Sequence, residues 1–469
     1  MTSRRFLSTL TVLAAAAALS ACAVGPRYER PALDAPSAWK EAPAAEGWLP
    51  AAPADALERG PWWLLFGDAD LNALADRVQV SNQNIAAAVA SYAQASALVR
   101  QQRAGLLPSV SLTGGASRNG NRDTGTASGS ANATLGADWA PDVWGRLGLA
   151  VDSAAAQAQA SAADLAAARL SAQGALASNY FSLREADAEL ALLATTLEGY
   201  ERSLTIARNR YEAGIAAQSD VLQAQTTLVN TRAERVALQR TRDTLEHAIA
   251  VLVGVAPADF RIPVAATWTP TVPSVPLGVP STLLQRRPDI ASAERAVAAA
   301  NAQIGVERAA YYPSFSLSAS LGRSSSRVSD LFGASNTLWS LGLSAAQVIF
   351  DAGAIDARVD SAKAAHEAAV ARYRQTVLTA FQGVEDQLTA TASLAQQEAL
   401  RREASAAADL TEQQILNRYR AGQVSYTEVV TAQASALSAR RTVLQLQVNR
   451  QNAAVTLIQG LGGGWTAPD

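Results

Sequence analysis

The 469-residue chain has one cysteine, Cys22, and two histidines, His247 and His366, that stand apart from it and from each other. A zinc site or a Cys-His nucleophile pair therefore has almost nothing to be built from. No Ser, His and Asp set sits in a recognisable hydrolase context, so no residue is assigned to catalysis. Aromatic residues are only 6% of the chain while alanine fills 104 positions, a composition that favours close helix packing over a wide enclosed pocket. Lys plus Arg is 39 against 41 Asp plus Glu, which removes the basic footprint of a nucleic-acid binder and leaves no acidic tail. Beyond the first two dozen residues there is no apolar run of the ~20 residues that a spanning helix needs. Proline is missing from two long tracts, 142 to 256 and 314 to 467.

The beginning of the chain carries an address. Arg4 and Arg5 precede an apolar run from about Phe6 through Leu19, then Leu19-Ser20-Ala21-Cys22. Residues 1–21 read as a secretory signal peptide. Leu-Ser-Ala-Cys resembles the bacterial lipobox, in which the cysteine becomes the acylated first residue of the mature protein. Cys22 is thus expected to carry diacylglyceryl and N-acyl lipid, with no other cofactor and no metal, and the acyl chains would tether the protein to a membrane. Ala23 in the next position is compatible with sorting to the outer membrane.

The two proline-free tracts are rich in Ala, Leu, Gln, Arg and Glu and read as very long helices. A helix over 150 to 212 would be on the order of 95 Å long. The tracts also repeat each other. Val151-Asp152-Ser153-Ala154 recurs as Val359-Asp360-Ser361-Ala362, and Arg210-Tyr211-Glu212-Ala213-Gly214 recurs as Arg418-Tyr419-Arg420-Ala421-Gly422, both at an offset of 208. Asp220 and Glu428, and Ala224-Gln225 and Ala432-Gln433, keep the same register. Two structurally equivalent halves follow.

Each half also contains two short stretches of period-two alternation, the pattern of a strand with one apolar face. Ala131, Ala133, Leu135, Ala137 and Trp139 interleave with Asn132, Thr134, Gly136 and Asp138; Phe315, Leu317, Ala319 and Leu321 interleave with serines. The stretches between strands, 114 to 130 and 322 to 337, are expected as loops on their Gly, Ser and Asn content. Strands of about ten residues are long enough to cross an outer membrane when tilted. Packing of the hairpins on a soluble core is the alternative. Four strands cannot close a barrel, and open edges are not tolerated in lipid, so a membrane reading requires several copies.

The residues assembled so far resemble the TolC-like outer membrane factor family, in particular the outer membrane lipoproteins of RND-type multidrug efflux systems (the OprM and NodT type). The resemblance covers essentially the whole mature chain. It rests on Cys22-Ala23-Val24-Gly25-Pro26-Arg27-Tyr28, Trp62-Trp63 with Phe66 and Asp70-Leu71, Arg286-Arg287-Pro288-Asp289-Ile290, Ala300-Asn301-Ala302, Tyr312-Pro313-Ser314 and the two Arg-Tyr-x-Ala-Gly repeats. It implies an α+β membrane protein: a trimeric 12-stranded outer membrane β-barrel, four strands per chain, continued by a long periplasmic α-helical barrel with a mixed equatorial region. The parts would be a lipidated segment with an equatorial contribution at 22–69, a first repeat at 70–256, an equatorial linker at 257–287 and a second repeat at 288–469. Within the repeats, β-hairpins are expected at about 108–140 and 313–348, and helical hairpins at about 146–253 and 354–460.

The implied function is a non-enzymatic exit duct for drugs or other toxic small molecules, reaching from the outer membrane into the periplasm. Its partners would be two further copies, a periplasmic adaptor protein, an inner membrane RND pump and outer membrane lipid, with no nucleic acid. An exit duct for type I protein secretion shares the fold, and a lipid-anchored coiled-coil scaffold without a pore is the reading from another class.

The helical turns carry the site candidates. Asp220 and Glu428 follow the turns at equivalent positions, so a trimer would gather six carboxylates at a constriction, where acidic rings favour cations; acidic residues in a helix's first turn also stabilise that helix whatever its function. Tyr211, Tyr419, Arg210 and Arg418 are candidates for bonds that hold the aperture shut, or for seam packing and a solvated face. Gly214, Ile215, Ala216, Gly422, Gln423, Val424 and Ser425 are the candidates for adaptor docking. Gly214 and Gly422 suit helix C-caps, and Ser425-Tyr426-Thr427-Glu428 reads as a capping box. TolC itself has an Arg two residues after the second turn glycine, and this chain departs from it with Val424. Trp139, Trp339 and Phe315 are candidates for an aromatic belt, while Trp144 and Phe350 sit where strand becomes helix.

Overall fold

The computed structural model describes residues 24–33, 35–41, 60–120, 127–265, 268–273, 286–331, 333 and 336–463. Cys22 and the signal-like segment lie outside them. The described helices are α1 (Ala69–Ser81), α2 (Gln83–Ala104), α3 (Arg146–Glu212), α4 (Gln218–Leu252), α5 (Pro288–Arg308), α6 (Ala354–Arg420) and α7 (Tyr426–Gly460). The strands are β1 (Ser109–Gly120), β2 (Ala127–Trp139), β3 (Ser314–Ser325) and β4 (Thr337–Ala346). Helices α3 and α6 have 67 residues each and α4 and α7 have 35 each. All of their boundaries shift by the 208-residue offset of the sequence repeat. No described helix is long and apolar enough to cross a membrane.

The chain divides into two units. The first, residues 1–33, 90–163 and 292–376, holds the sheet. Its strands pair antiparallel in chain order, β1-β2-β3-β4. The register lines up Leu112, Leu135, Leu321 and Trp339 in one row, and Val110, Ala137, Ala319 and Leu341 in the next. Because residues in register share a face, one face is apolar, and Trp339 on it is 77% exposed. The opposite face carries small polar residues, with hydroxyl rungs Ser316–Ser344 at 2.7 Å, and Ser320–Ser340 and Ser117–Ser130 at 2.8 Å.

The strands run further than their alternation signals. Residues 114–120 and 127–130 belong to β1 and β2, and 322–325 to β3, where loop was expected. Gly, Ser and Asn have weak strand preferences of their own, but here cross-strand partners satisfy their backbone groups.

The joint from β2 to α3 is capped by Asp142, which accepts the Leu147 and Gly148 N–H at 2.9 and 2.7 Å. Asp351 accepts from Ile355 at 2.7 Å at the start of α6. Trp144 packs its joint, stacked on Tyr312 at 4.8 Å and donating to the Pro313 carbonyl at 2.7 Å. Phe350, by contrast, is exposed. The Gly25-Pro26-Arg27-Tyr28 segment lies on α5: a Cβ on Gly305 would stand 2.6 Å from the Gly25 Cα, Asn301 donates to the Pro26 carbonyl at 2.9 Å, and the Tyr28 hydroxyl donates to buried Glu294. Burial, with the Glu294 carboxylate beside it, raises the Tyr28 pKa.

The second unit, residues 34–89, 164–291 and 377–469, has its core where α1, α3, α4 and α7 meet a short turn of helix at Trp62–Phe66. Trp62, Trp63, Phe66, Leu71, Val78, Leu176, Phe181, Ile249, Val455 and Ile458 are buried together. Asp68 caps α1 through the Asp70 and Leu71 N–H, both at 3.0 Å, and accepts the Tyr180 hydroxyl at 2.8 Å. Charges are buried next to this core. Asp187 accepts from Arg184 at 3.1 Å, Arg242 at 2.8 Å and the Ala265 N–H at 3.1 Å. Arg184 also reaches Asp70 and the Pro263 carbonyl, and Arg242 reaches Glu246 and the Ile262 carbonyl. Burial works against the charge on Arg184, but hydrogen bonds with Tyr180 and Asp187 outweigh it and leave the pKa raised.

Candidate functional site at the helical turns

The two helical hairpins turn in the same way. Gly214 follows α3 at φ 74° and Gly422 follows α6 at φ 77°, conformations that a Cβ would strain. In the first turn the Gly214 N–H bonds to the Tyr211 carbonyl at 2.9 Å and the Ile215 N–H to the Arg210 carbonyl at 2.8 Å. In the second, Gly422 bonds to Tyr419 and Gln423 to Arg418, both at 2.9 Å. This is the Schellman pattern, which satisfies the carbonyls that a helix end leaves free.

The returning helices start differently. Glu428 accepts the Ser425 N–H at 3.3 Å, closing the carboxylate half of a capping box on α7. Asp220 sits at the matching position of α4, but the residue at the cap there is Ala217, which makes no side-chain bond. Asp220 instead acts at a distance on two tyrosines. Burial, followed by the Asp220 charge, raises Tyr419; burial also raises Tyr426, with Tyr419, Tyr200 and then Asp220 adding to it.

Tyr419 and Tyr426 are buried in a cluster with Leu197, Tyr200, Leu204, Ala207, Leu228 and Val429, their rings edge to face at 5.2 Å. Arg210 closes the cluster from above. Its guanidinium donates to the carbonyl oxygens of Tyr419 at 3.1 Å and Arg420 at 3.2 Å and lies 4.9 Å from the centre of the Tyr419 ring. The Tyr419 hydroxyl is buried with no hydrogen-bond partner among the described residues. The structure thus brings Arg210 and Tyr419 into contact, with the Asp220 charge near enough to be felt by Tyr419. It does not do so for Tyr211 and Arg418, which are exposed, nor for Glu428, which is held at its own cap. Gly214, Ile215, Gly422, Gln423 and Ser425 are exposed on the turns, and Ala216 and Val424 are half-buried, Val424 against the tyrosine cluster.

Sequence reasoning passed over what stands behind the turns. Tyr200 and Tyr426 complete the cluster, and Gln433 donates to the Ser203 hydroxyl at 3.2 Å across the repeats. Further along, Arg441 pairs with Glu189 at 2.8 Å and Glu234 at 2.9 Å, at the rim of a groove of about 680 Å³ that Glu185, Tyr200 and Thr231 also line. These residues carry no local motif. Among the described residues no group of three or more His, Cys, Asp or Glu is placed to hold a metal ion.

The fold, with a four-stranded sheet and paired long helices repeated at one offset, is that of a channel subunit. The family profile described as outer membrane efflux protein matches residues 74–255 and 279–463, and the chain belongs to that family. It is 32% identical over 468 residues to the toluene efflux pump outer membrane protein TtgC of Pseudomonas putida, covering 98% of this chain and 96% of that one. It is 30% identical over 453 residues to the cation efflux system protein CusC of Escherichia coli strain K12, covering 96% and 98%. Among solved structures it superposes on the open state of the Neisseria gonorrhoeae MtrE outer membrane channel with a TM-score of 0.83 at 27% identity, covering 94% of this chain and 98% of that one.

Proposed function

We propose that three copies of this chain form a passive exit duct of the outer membrane. Their sheets join edge to edge as a twelve-stranded barrel, the long helices continue it as a periplasmic helical barrel, and the turns after α3 and α6 form its inner end. The observation that carries this reading is the sheet. β1 pairs only with β2 and β4 only with β3 among the described residues, so both edges are open, and the large side chains of the apolar rows, Val110, Leu112, Leu135, Leu321, Trp339 and Leu341, are exposed. An apolar band with unpaired edges is untenable in water as in lipid, and lipid tolerates only a closed barrel. Two copies would give eight strands, whose lumen side chains fill; three leave a bore, and the serine rungs suit its wet side.

In this reading a periplasmic adaptor docks on the exposed turn residues around Gly214 and Gly422, and an inner membrane RND pump supplies the cargo. Lipid on Cys22 anchors each copy. Asp220 sets charge at the aperture, while Arg210 and Tyr419 hold it shut. Relatives named for toluene and for cations both match this chain over nearly its whole length, which supports a duct that conducts passively and leaves cargo choice to the pump.

A susceptibility panel tests the proposal. A deletion strain is compared with strains complemented by wild type or by Asp220→Ala with Glu428→Ala, over antibiotics, dyes, solvents and metal ions. The expected result is sensitisation to a coherent set, reversed by wild type. Unchanged susceptibility with loss of a secreted protein would overturn the efflux assignment. A purified protein that never conducts in a planar bilayer, even with both acids replaced, would overturn the duct.

A further inference from the structure

The two turns are built alike but partnered unequally. Inside the chain, Arg210 of the first repeat caps the second: its guanidinium sits on the last carbonyls of α6, those of Tyr419 and Arg420, and over the Tyr419 ring. Shifted by the repeat offset, Arg210 becomes Arg418, and Tyr419 and Arg420 become Tyr211 and Glu212. The equivalent bond would run from Arg418 to the last carbonyls of α3. It is not made within the chain. Arg418 is exposed with no side-chain partner among the described residues, and Tyr211 is 45% exposed where Tyr419 is 2% exposed.

We propose that Arg418 of one copy caps α3 of the next, donating to the carbonyl oxygens of Tyr211 and Glu212 with its guanidinium over the Tyr211 ring. The occupant of this surface is a second copy of the chain, and the inference rests on the oligomeric reading above. Three points argue for it. A link from first repeat to second that is satisfied internally leaves a link from second to first that only another copy can supply, which is how head-to-tail contacts close a ring. The Tyr211 carbonyl accepts the Gly214 N–H just as the Tyr419 carbonyl accepts that of Gly422, and the Tyr419 oxygen takes Arg210 as a second donor, so the end of α3 has the same room for a guanidinium at the negative end of the helix dipole. Charge also favours the contact between copies over its internal counterpart: beside the acceptor carbonyls stands the Glu212 carboxylate, where the internal pair has the Arg420 cation.

Tyr211 is replaced by the photoreactive p-benzoylphenylalanine in the full chain, and the detergent-solubilised protein is illuminated. Native mass spectrometry gives the copy number independently. The same substitution at Tyr419 is the control for a contact within one chain. The expected result is a covalent dimer on a denaturing gel, with position 211 joined to residues 417–421 of a second copy. Arg418→Ala is expected to lower the yield by about tenfold, the order of one charge-assisted hydrogen bond, at unchanged native mass. A trimer that yields no dimer, or links position 211 elsewhere, overturns the pairing and leaves the duct standing. Full yield in Arg418→Ala overturns the role of the guanidinium, and a chain that is monomeric by native mass removes the pairing together with the oligomer.

Discussion

Removing the Asp187 carboxylate should loosen the second unit far more than the loss of any exposed charge. Asp187 is fully buried and accepts three hydrogen bonds, from Arg184, Arg242 and the Ala265 N–H. In Asp187→Ala both guanidinium groups stay buried with one anion fewer, and breaking a buried pair in this way costs about 3–5 kcal/mol. Arg184 keeps Asp70 at 2.8 Å and Arg242 keeps Glu246 at 3.3 Å, which places the loss at the lower end. A loss of about 3 kcal/mol is a rise of roughly 150-fold in the local opening equilibrium. Amide hydrogen exchange reads it at Ile262, whose N–H donates to Glu246 and whose carbonyl accepts from Arg242. Asp187→Asn, which keeps the shape and loses the charge, should fall between. Glu201→Ala, which removes an exposed partner of Arg232, should change stability by less than about 1 kcal/mol. An Ile262 exchange rate within about fivefold of wild type in Asp187→Ala would refute the claim that this carboxylate neutralises the buried arginines.

Three other expectations concern pH, backbone and caps. Burial, and then the Glu189 charge, push Glu185 up to about 7. The folded state therefore holds this proton more tightly than the unfolded chain; its stabilising effect is full below the ordinary carboxylate pKa and is lost as pH rises through about 7. The midpoint of thermal unfolding should fall across that window, and Glu185→Gln should flatten the fall; an identical slope in the variant would rule out Glu185 as its source. Gly199 lies within α3 with nothing within 4 Å of an added Cβ, so Gly199→Ala should stabilise by about 0.5–1 kcal/mol. Gly422→Ala, forced to φ 77°, should destabilise by about 1–2 kcal/mol; scanning fluorimetry should therefore show shifts of opposite sign. Glu428→Ala should cost about 1 kcal/mol at the first turn of α7, and Asp220→Ala only about 0.3–1 kcal/mol at α4. Equal exchange of the two first turns across both variants would mean that the Ser425–Glu428 bond contributes nothing.

What could be read in advance was what repeats or what a local backbone demands. The 208-residue offset placed α3, α4, α6 and α7 because each long helix ends at a glycine that must adopt positive φ, and no proline interrupts it. Strand length was less legible: the Gly, Ser and Asn of 114–120 lack apolar alternation, and their pairing depends on a partner strand that propensity does not see. Helices α1, α2 and α5 carried no long proline-free tract to announce them. At the turns, the types and positions of Arg210 and Tyr419 were visible, but the acceptors of Arg210 are backbone oxygens 209 and 210 residues away. Asp187 and Arg242 are 55 residues apart on different helices, and neither sits in a motif.

The open strand edges also have a genetic consequence. In the proposed trimer each sheet borrows its lateral hydrogen bonds from two neighbours, so a copy with a spoiled edge denies closure to sound copies as well. With equal expression of normal and defective chains and random assembly, only about one barrel in eight would be built wholly of normal copies. A proline in β4, which cannot donate to a neighbouring strand, would therefore act as a poison on the wild-type allele, and one damaged gene would silence the product of an intact one.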